Sequence, residues 1–363
     1  MVVGSGRDPR HAGTLTLNRH RIGGHGGTSR PDACRATPEG APEPRSVHVA
    51  SAGHGVLLSV VKVQRLARMI RKWRTTRSCI VKSHSLRPSG WLSRQPMPEL
   101  PEVEIVRRNL TQWVYGRTIT NVASSGRHRG VVEDSLTSIV GCRIEAVSRL
   151  GKYLTLRVGL QLLVIHLGMS GRLLSHDPGA YVAGPHDHVR ISTDDGRLVA
   201  FQDHRRFGRM FLSPLDLSAL PPLGPDPLQT PLTPTRLAEL LERRPGKLKS
   251  ILMNQAVISG IGNIYACEIL WAARLSPFRS GLSLGNSDYS RLAHSLADVL
   301  KRAIAARGST LDDYRGTSGA MGNFDLSFSV YARGGMACPR CGSPIAAQTM
   351  AGRVTYWCPD CQS

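Results

Sequence analysis

Aromatic residues make up only 5% of the chain, and no run of about 18 apolar residues occurs in it. The second absence excludes an ordinary transmembrane helix, so no membrane partner is expected. Acidic residues are scarce as well: 26 Asp and Glu stand against 47 Lys and Arg, for a net charge of +21. Such an excess is the electrostatic footprint of a polyanionic partner. Cysteines Cys34, Cys79, Cys142 and Cys267 lie scattered without pairing pattern, which gives no disulfide framework of the secreted kind.

What is present is unevenly placed. Residues 1–96 hold 17 Lys/Arg against 4 Asp/Glu and are rich in Gly, Pro and Ser, a composition that resists packing. One island, Val56 to Trp73, spaces Val60, Val63, Leu66 and Ile70 as a basic amphipathic helix. Such a helix suits a membrane surface, nucleic acid or a targeting leader. Residues 97–363 carry 30 Lys/Arg against 22 Asp/Glu, still enough positive charge for nucleic acid.

From Pro101, the apolar positions Val103, Val106, Leu110, Trp113 and Val114 recur with helical period, and Gly116 stops the helix. Seven β-rich runs follow, at Thr118–Ala123, Arg143–Val147, Tyr153–Val158, Leu162–Leu167, His188–Thr193, Arg197–Phe201 and Met210–Leu212. Asp195-Gly196 supplies a hairpin turn. The Pro-rich stretch 214–234 reads as an extended linker. Helices are predicted at Thr235–Arg243, Leu248–Val257, Ile264–Ala273 and Ser287–Ala306. The fold class is therefore multidomain α+β: an N-terminal helix with a β-sandwich over 97–213, a helical domain over 235–308, a Gly-rich loop region at 309–335 and a C-terminal hairpin at 336–363.

The hairpin carries the clearest chemical signal. Cys338-Pro-Arg-Cys341 and Cys358-Pro-Asp-Cys361 fit a four-thiolate zinc site, with disulfide pairing as the alternative. A unit this small cannot bury a core, so one Zn2+ would supply folding free energy of about 10 kcal/mol. All four positions are filled by protein, which makes the expected site structural.

Met97-Pro98-Glu99-Leu100-Pro101-Glu102-Val103-Glu104 poses a different question. A chain-terminal amine has a pKa of roughly 7.7–8 against roughly 10.4 for Lys, so far more of it is nucleophilic at neutral pH. Such an amine can form an iminium with a carbon electrophile. Within a chain the nitrogen of Pro98 is a planar amide. Pro98 acts as a nucleophile only if the working protein begins there, which favours reading residues 1–96 as upstream sequence outside the mature enzyme. A Pro-rich turn with Pro101 at the first helical position is the plainer reading of the same residues.

These octapeptide residues resemble the start of the formamidopyrimidine-DNA glycosylase family, and further motifs follow in that family's order. They are Gly151-Lys152-Tyr153-Leu154, His166-Leu167-Gly168-Met169-Ser170-Gly171, His186-Asp187-His188-Val189, Arg205-Arg206-Phe207-Gly208 and Gly260-Ile261-Gly262-Asn263-Ile264-Tyr265-Ala266. The last resembles the family's helix–two-turn–helix element. The resemblance covers Met97 to Ser363 and implies a bifunctional enzyme that excises oxidised purines from double-stranded DNA and then cleaves the strand. It implies Pro98 as nucleophile, Glu99 as general acid/base, and Lys152 with His166 on phosphates beside the lesion. Met169, Arg205 and Phe207 would fill the space of the extruded nucleotide. His186, Lys249, Asn263 and Arg353 would contribute to DNA binding, Lys249 by adding charge, Asn263 at a phosphate and Arg353 as a phosphate clamp. Glu102 would order the helix start and Glu268 the amine's surroundings. Gly308 to Tyr314 and Val330 to Arg333 resemble the flanks of the lesion-recognition loop.

Ordinary alternatives stand beside these roles: core packing for Met169, a strand-end anchor for Phe207, a solvated hairpin residue for Arg353 and a plain helical hairpin around Asn263. His204 replaces the Pro usual in the family. The Leu-Pro-Glu-Val-Glu continuation favours the oxidised-purine branch over the endonuclease eight branch. The other rivals are a non-catalytic damage-binding protein and a zinc-ribbon module on an unrelated scaffold. A monomer in the bacterial cytoplasm, at the nucleoid, is expected, or an organellar enzyme if the leader is retained as a signal.

Overall fold

The computed structural model describes residues 97–308 and 328–363. The basic leader with its Val56–Trp73 island, Cys34 and Cys79, and all of the expected Gly308–Tyr314 flank of the recognition loop beyond Gly308 lie outside the described residues. The first helix, α1, is Leu100–Val114. It starts in a capping box: the Glu99 N–H donates to Glu102 Oε2 at 3.0 Å, and Pro101 occupies the first turn, where no intrahelical donor is needed.

Eight strands follow: β1 Ile119–Ser124, β2 Ile144–Leu150, β3 Tyr153–Val158, β4 Gln161–His166, β5 Arg172–His176, β6 Asp187–Thr193, β7 Leu198–Gln202 and β8 Arg209–Pro214. A short helix, α2 (Glu133–Leu136), and a 3-10 turn separate β1 from β2. The strands form two antiparallel four-stranded sheets, ordered β1-β6-β7-β5 and β2-β3-β4-β8. Their alternating inner residues, among them Leu154, Leu163, Ile165, Val189, Val199 and Phe201, share one core with Val103, Val106 and Leu110 of α1. Seven strands were legible as β-rich runs. The missed one, β5, reads Arg-Leu-Leu-Ser-His and offers too short an alternation to stand out.

Register decides where the connections emerge. In the second sheet Leu150 pairs with Tyr153, Tyr153 with His166, and His166 with Arg209. The turn holding Lys152, the turn holding Met169 and the segment holding Arg205 and Phe207 therefore leave the same end of the sheet. In the first sheet Gln202 pairs with both Arg172 and Asp187, which brings His186 and Asp203 to that end as well.

The helical part comprises α3 Pro234–Leu241, α4 Leu248–Leu252, α5 Asn263–Ala272 and α6 Asn286–Ala305. Helix α4 is shorter than the predicted Leu248–Val257. Its continuation is diverted by side chains: Asn254 Oδ1 accepts the Ala256 N–H at 3.0 Å, and Gln255 bonds the Met253 and Ile261 carbonyls and the Gly260 N–H. Leu100 packs into the helical core with Ile258, Ile261 and Tyr265, while Val103, Val106, Leu110 and Val114 of α1 face the sandwich. Residues 98–100 thus stand on the seam between the two cores.

A buried ion network ties the same seam. Arg149 bonds Glu104 of α1 and forks onto Asp226 of the Pro-rich segment, whose carboxylate also takes the Gly151 N–H at 2.8 Å. Strands β9 (Ala346–Met350) and β10 (Arg353–Trp357) make the C-terminal hairpin.

Candidate active site and nucleic-acid interface

Helix α5 begins with backbone N–H groups that have no partner within the helix. They are given to Glu99: its Oε2 accepts from Gly262 at 2.9 Å and Tyr265 at 3.2 Å, and its Oε1 accepts from Ile264 at 2.9 Å. The Leu100 N–H donates to the Gly260 carbonyl at 3.1 Å. Both glycines are dictated by this embrace. A Cβ on Gly262 would lie 2.3 Å from Glu99 Cδ, and one on Gly260, which sits at φ +93°, would lie 2.4 Å from Leu100 Cδ1. The turn and helix end were expected to receive a DNA phosphate. The anion they hold is the chain's own carboxylate, and the Asn263 amide donates to the Val354 carbonyl at 3.0 Å, joining α5 to the hairpin.

Glu99 is buried, and burial raises its pKa against the opposing pull of the Lys152 charge and the Ile264 and Tyr265 N–H groups. Glu102, also buried, accepts the Tyr265 hydroxyl at 2.6 Å as well as the Glu99 N–H. Its role in ordering the helix start is visible; the clamp by Tyr265 had no sequence signal. Lys152 is buried beside them on a turn whose Gly151 packs against Ser259, with a Cβ there reaching within 3.0 Å of Ser259 Cβ. Burial lowers the Lys152 pKa; Glu99 raises it and Arg353 lowers it further.

Three residues sit differently from expectation. Lys249 is 1% exposed, with its ammonium on Thr355 Oγ1 at 2.7 Å, so it supports the hairpin from beneath and offers no surface charge to a phosphate. Glu268 is taken up by backbone donors. Its carboxylate accepts the N–H groups of Ser329, Val330 and Tyr331 at 2.8–3.0 Å, because α5 turns that face towards the chain returning at residue 328. His166 is half-buried, accepts the Gly168 N–H on Nδ1 at 3.1 Å, and is pushed down to about 4 by burial and by the Lys152 and Arg209 charges. It is thus neutral at physiological pH.

At the end of the sandwich Phe207 is 55% exposed, and the Arg205 guanidinium lies 5.2 Å from its ring centroid. An aromatic side chain so placed is not a strand-end anchor. Met169 is half-buried on its turn rather than part of the core. The two turns touch backbone to backbone, since a Cβ on Gly168 would meet the Phe207 carbonyl carbon at 2.5 Å. His186 is exposed, its ring 6.1 Å from that of His204. Arg353 is exposed at the start of β10.

Sulfur atoms of Cys338, Cys341, Cys358 and Cys361 lie within 4.8 Å of one another. A tetrahedral zinc with bonds of about 2.3 Å needs sulfurs about 3.8 Å apart, and the pairs Cys338–Cys361 and Cys341–Cys358 stand at 4.0 and 3.5 Å. The four thiols fit one structural zinc ion. The Trp271 indole N–H donates to Cys338 Sγ at 3.4 Å, the sort of outer contact that steadies a metal thiolate.

A sandwich and a helical domain joined at a seam of buried acids, with a basic rim and a zinc hairpin, define a nucleic-acid-processing enzyme body. Residues 97–210 match the formamidopyrimidine-DNA glycosylase N-terminal domain, 223–315 the helix–two-turn–helix domain of the same enzymes, and 336–363 the zinc finger found in them and in isoleucyl-tRNA synthetases. The formamidopyrimidine-DNA glycosylase of Chloroflexus aurantiacus is 43% identical, aligned over 73% of this chain and 98% of its own length. Among solved structures, the MutM (Fpg) protein of Thermus thermophilus aligns with a TM-score of 0.66 and 38% identity, over 73% of this chain and 98% of its own. A Lactococcus lactis Fpg variant bound to DNA containing Fapy-dG gives 0.67 and 33%, over 73% and 100%. The chain belongs to the formamidopyrimidine-DNA glycosylase family.

Proposed function

We propose that this protein is a DNA glycosylase and abasic-site lyase that excises oxidised purines, 8-oxoguanine and formamidopyrimidines, from double-stranded DNA through a free amine on Pro98. The carrying observation is the placement of Pro98 and Glu99 on the seam, with Glu99 locked onto α5 and the Lys152 charge beside it. Family membership supports the substrate class.

In this reading the Pro98 nitrogen attacks C1′ of the damaged nucleotide. The bond from C1′ to the base breaks and the base leaves with the proton given up by the Pro98 nitrogen; the C1′–O4′ bond then opens as O4′ takes a proton, and an iminium joins enzyme to sugar. Loss of the 2′ proton then expels the 3′ phosphate, and a second elimination expels the 5′ phosphate. Glu99, whose pKa burial raises, delivers the proton to the sugar ring oxygen and exchanges protons in the eliminations. Lys152 and Arg353 neutralise phosphates flanking the sugar, and Met169, Arg205 and Phe207 occupy the gap left by the extruded base.

A free Pro98 nitrogen requires that residues 1–97 be absent from the working enzyme. The match of the family's N-terminal domain from residue 97 supports this. The partner is damaged duplex DNA, bound by a monomer at the bacterial nucleoid. Mapping the N-terminus of the protein isolated from cells tests the proposal: a start at Pro98 supports it, and active enzyme with the leader attached overturns it.

A further inference from the structure

Asp203 is fully buried in the sandwich end, yet neither the chemistry at Pro98 nor the DNA contacts above use it. Its carboxylate is the meeting point of three segments. Oδ2 accepts from His128 Nε2 at 3.1 Å and from the Gly208 N–H at 2.7 Å. Oδ1 accepts the Ser170 hydroxyl at 2.5 Å and the Arg205 N–H at 3.3 Å. Ser170 follows Met169, and Arg205 and Gly208 bracket Phe207, so one carboxylate holds both turns that carry the exposed side chains.

His128 supplies the third leg. It is buried, its Nδ1 accepts the Gly130 N–H at 3.1 Å, and that leaves the proton on Nε2 to be donated to Asp203. The loop it belongs to is pressed against the same place: a Cβ on Gly130 would lie 2.2 Å from the Gly208 carbonyl oxygen. The rear is closed by His188, whose Nε2 bonds the Asp203 carbonyl at 2.9 Å and whose Nδ1 faces Ser125 Oγ at 3.2 Å. A fully buried carboxylate with four donors fixes its surroundings, because any departure leaves a buried charge unsatisfied.

We propose that Asp203, tied from behind by His128, is a positioning residue that presets the Met169 and Arg205–Phe207 turns for insertion into the duplex, so that it governs extrusion of the base without touching DNA. This rests on the wedge role assigned to those side chains above. Extrusion breaks stacking and pairing, and wedges already in place offset that loss without first ordering their own loops. A substrate that needs no extrusion, such as a preformed abasic site, should not depend on the brace.

The test compares Asp203→Asn, His128→Leu and His128→Gln in the enzyme as cells accumulate it, under single-turnover conditions. Gln keeps an N–H donor near the position of Nε2; Leu does not. Excision of 8-oxoguanine paired with cytosine should slow about tenfold or more in Asp203→Asn and His128→Leu. Cleavage at a preformed abasic site should stay within about twofold, and His128→Gln should recover most of the loss. A fluorescent cytosine analogue opposite the lesion should brighten later by the same factor as excision slows. Equal loss on both substrates, or full activity on both, overturns the proposal. Met169→Ala and Phe207→Ala tested alongside keep the two readings apart: normal excision in those variants sinks the wedge role itself, whereas slow excision there with normal Asp203→Asn sinks only the brace.

Discussion

The carboxylate of Glu99 and the backbone N–H of Ile264 are 165 residues apart in the chain and 2.9 Å apart in space. This bond joins the first residue of the helix start in one domain to the first turn of the central helix in the other. It places an acid on the positive end of a helix, where a carboxylate is stabilised, inside a site whose burial favours the neutral acid. The two tendencies oppose each other, and a carboxyl balanced between them is suited to give and take a proton.

Glu99→Gln should therefore separate structure from chemistry. The amide oxygen can still accept from Gly262 and Tyr265, but the amide NH2 then faces the Ile264 N–H, so stability should fall by about 1–3 kcal/mol, read from urea unfolding. Strand cleavage should fall at least about 100-fold. Near-normal cleavage would remove Glu99 from proton transfer.

Gly262→Ala puts a methyl 2.3 Å from Glu99 Cδ, where neither helix nor acid can yield. The expected cost is about 1–3 kcal/mol, together with loss of cleavage greater than the loss of DNA binding. A melting curve and a gel-shift titration read the two effects. Unchanged activity would mean that the Glu99 embrace is dispensable.

His166, held down to about 4 against an ordinary 6.5, gives a pH signature. The folded state binds fewer protons than the unfolded chain between these values. Its contribution to stability is thus fully present above pH 6.5 and is lost as pH falls towards 4. NMR of the ring protons should show no titration between pH 7 and 5.5. Comparison with His166→Gln should show the native protein losing more stability across that interval.

Much of this was legible in the sequence, and the physical reasons are particular. Tyr153–Val158 was readable to the residue because its apolar positions alternate and its turns are marked by Gly. The Cys pairs were readable because metal geometry fixes their spacing. The glycines at 260 and 262 looked like a phosphate loop because backbone openness is the same whatever fills it; only the fold reveals that Glu99 does. Lys249 looked like surface charge because burial of a lysine depends on a hairpin more than 100 residues away. Asp203 went unseen although it sits directly before the His204-Arg205-Arg206-Phe207-Gly208 motif. Its four donors, His128, Ser170, Arg205 and Gly208, come from three chain segments that only the fold brings together.

Removing zinc should unfasten the hairpin and leave the two cores standing. Structural zinc contributes on the order of 10 kcal/mol to such units, and β10 carries both Arg353 and the Thr355 that receives Lys249. Chelation should abolish binding to abasic-site DNA while most helical circular dichroism persists, and stoichiometric Zn2+ should restore both. Binding that survives complete zinc loss would detach Arg353 from the DNA contact.

The central claim is that the amine of Pro98 joins the sugar. Borohydride reduction during reaction with 8-oxoguanine duplex, followed by digestion and mass spectrometry, locates the covalent bond. The account predicts a single cross-linked peptide that begins at Pro98 and carries the deoxyribose remnant on its nitrogen. A remnant on Lys152 or another lysine, or an adduct formed by protein still bearing residues 1–97, would contradict it.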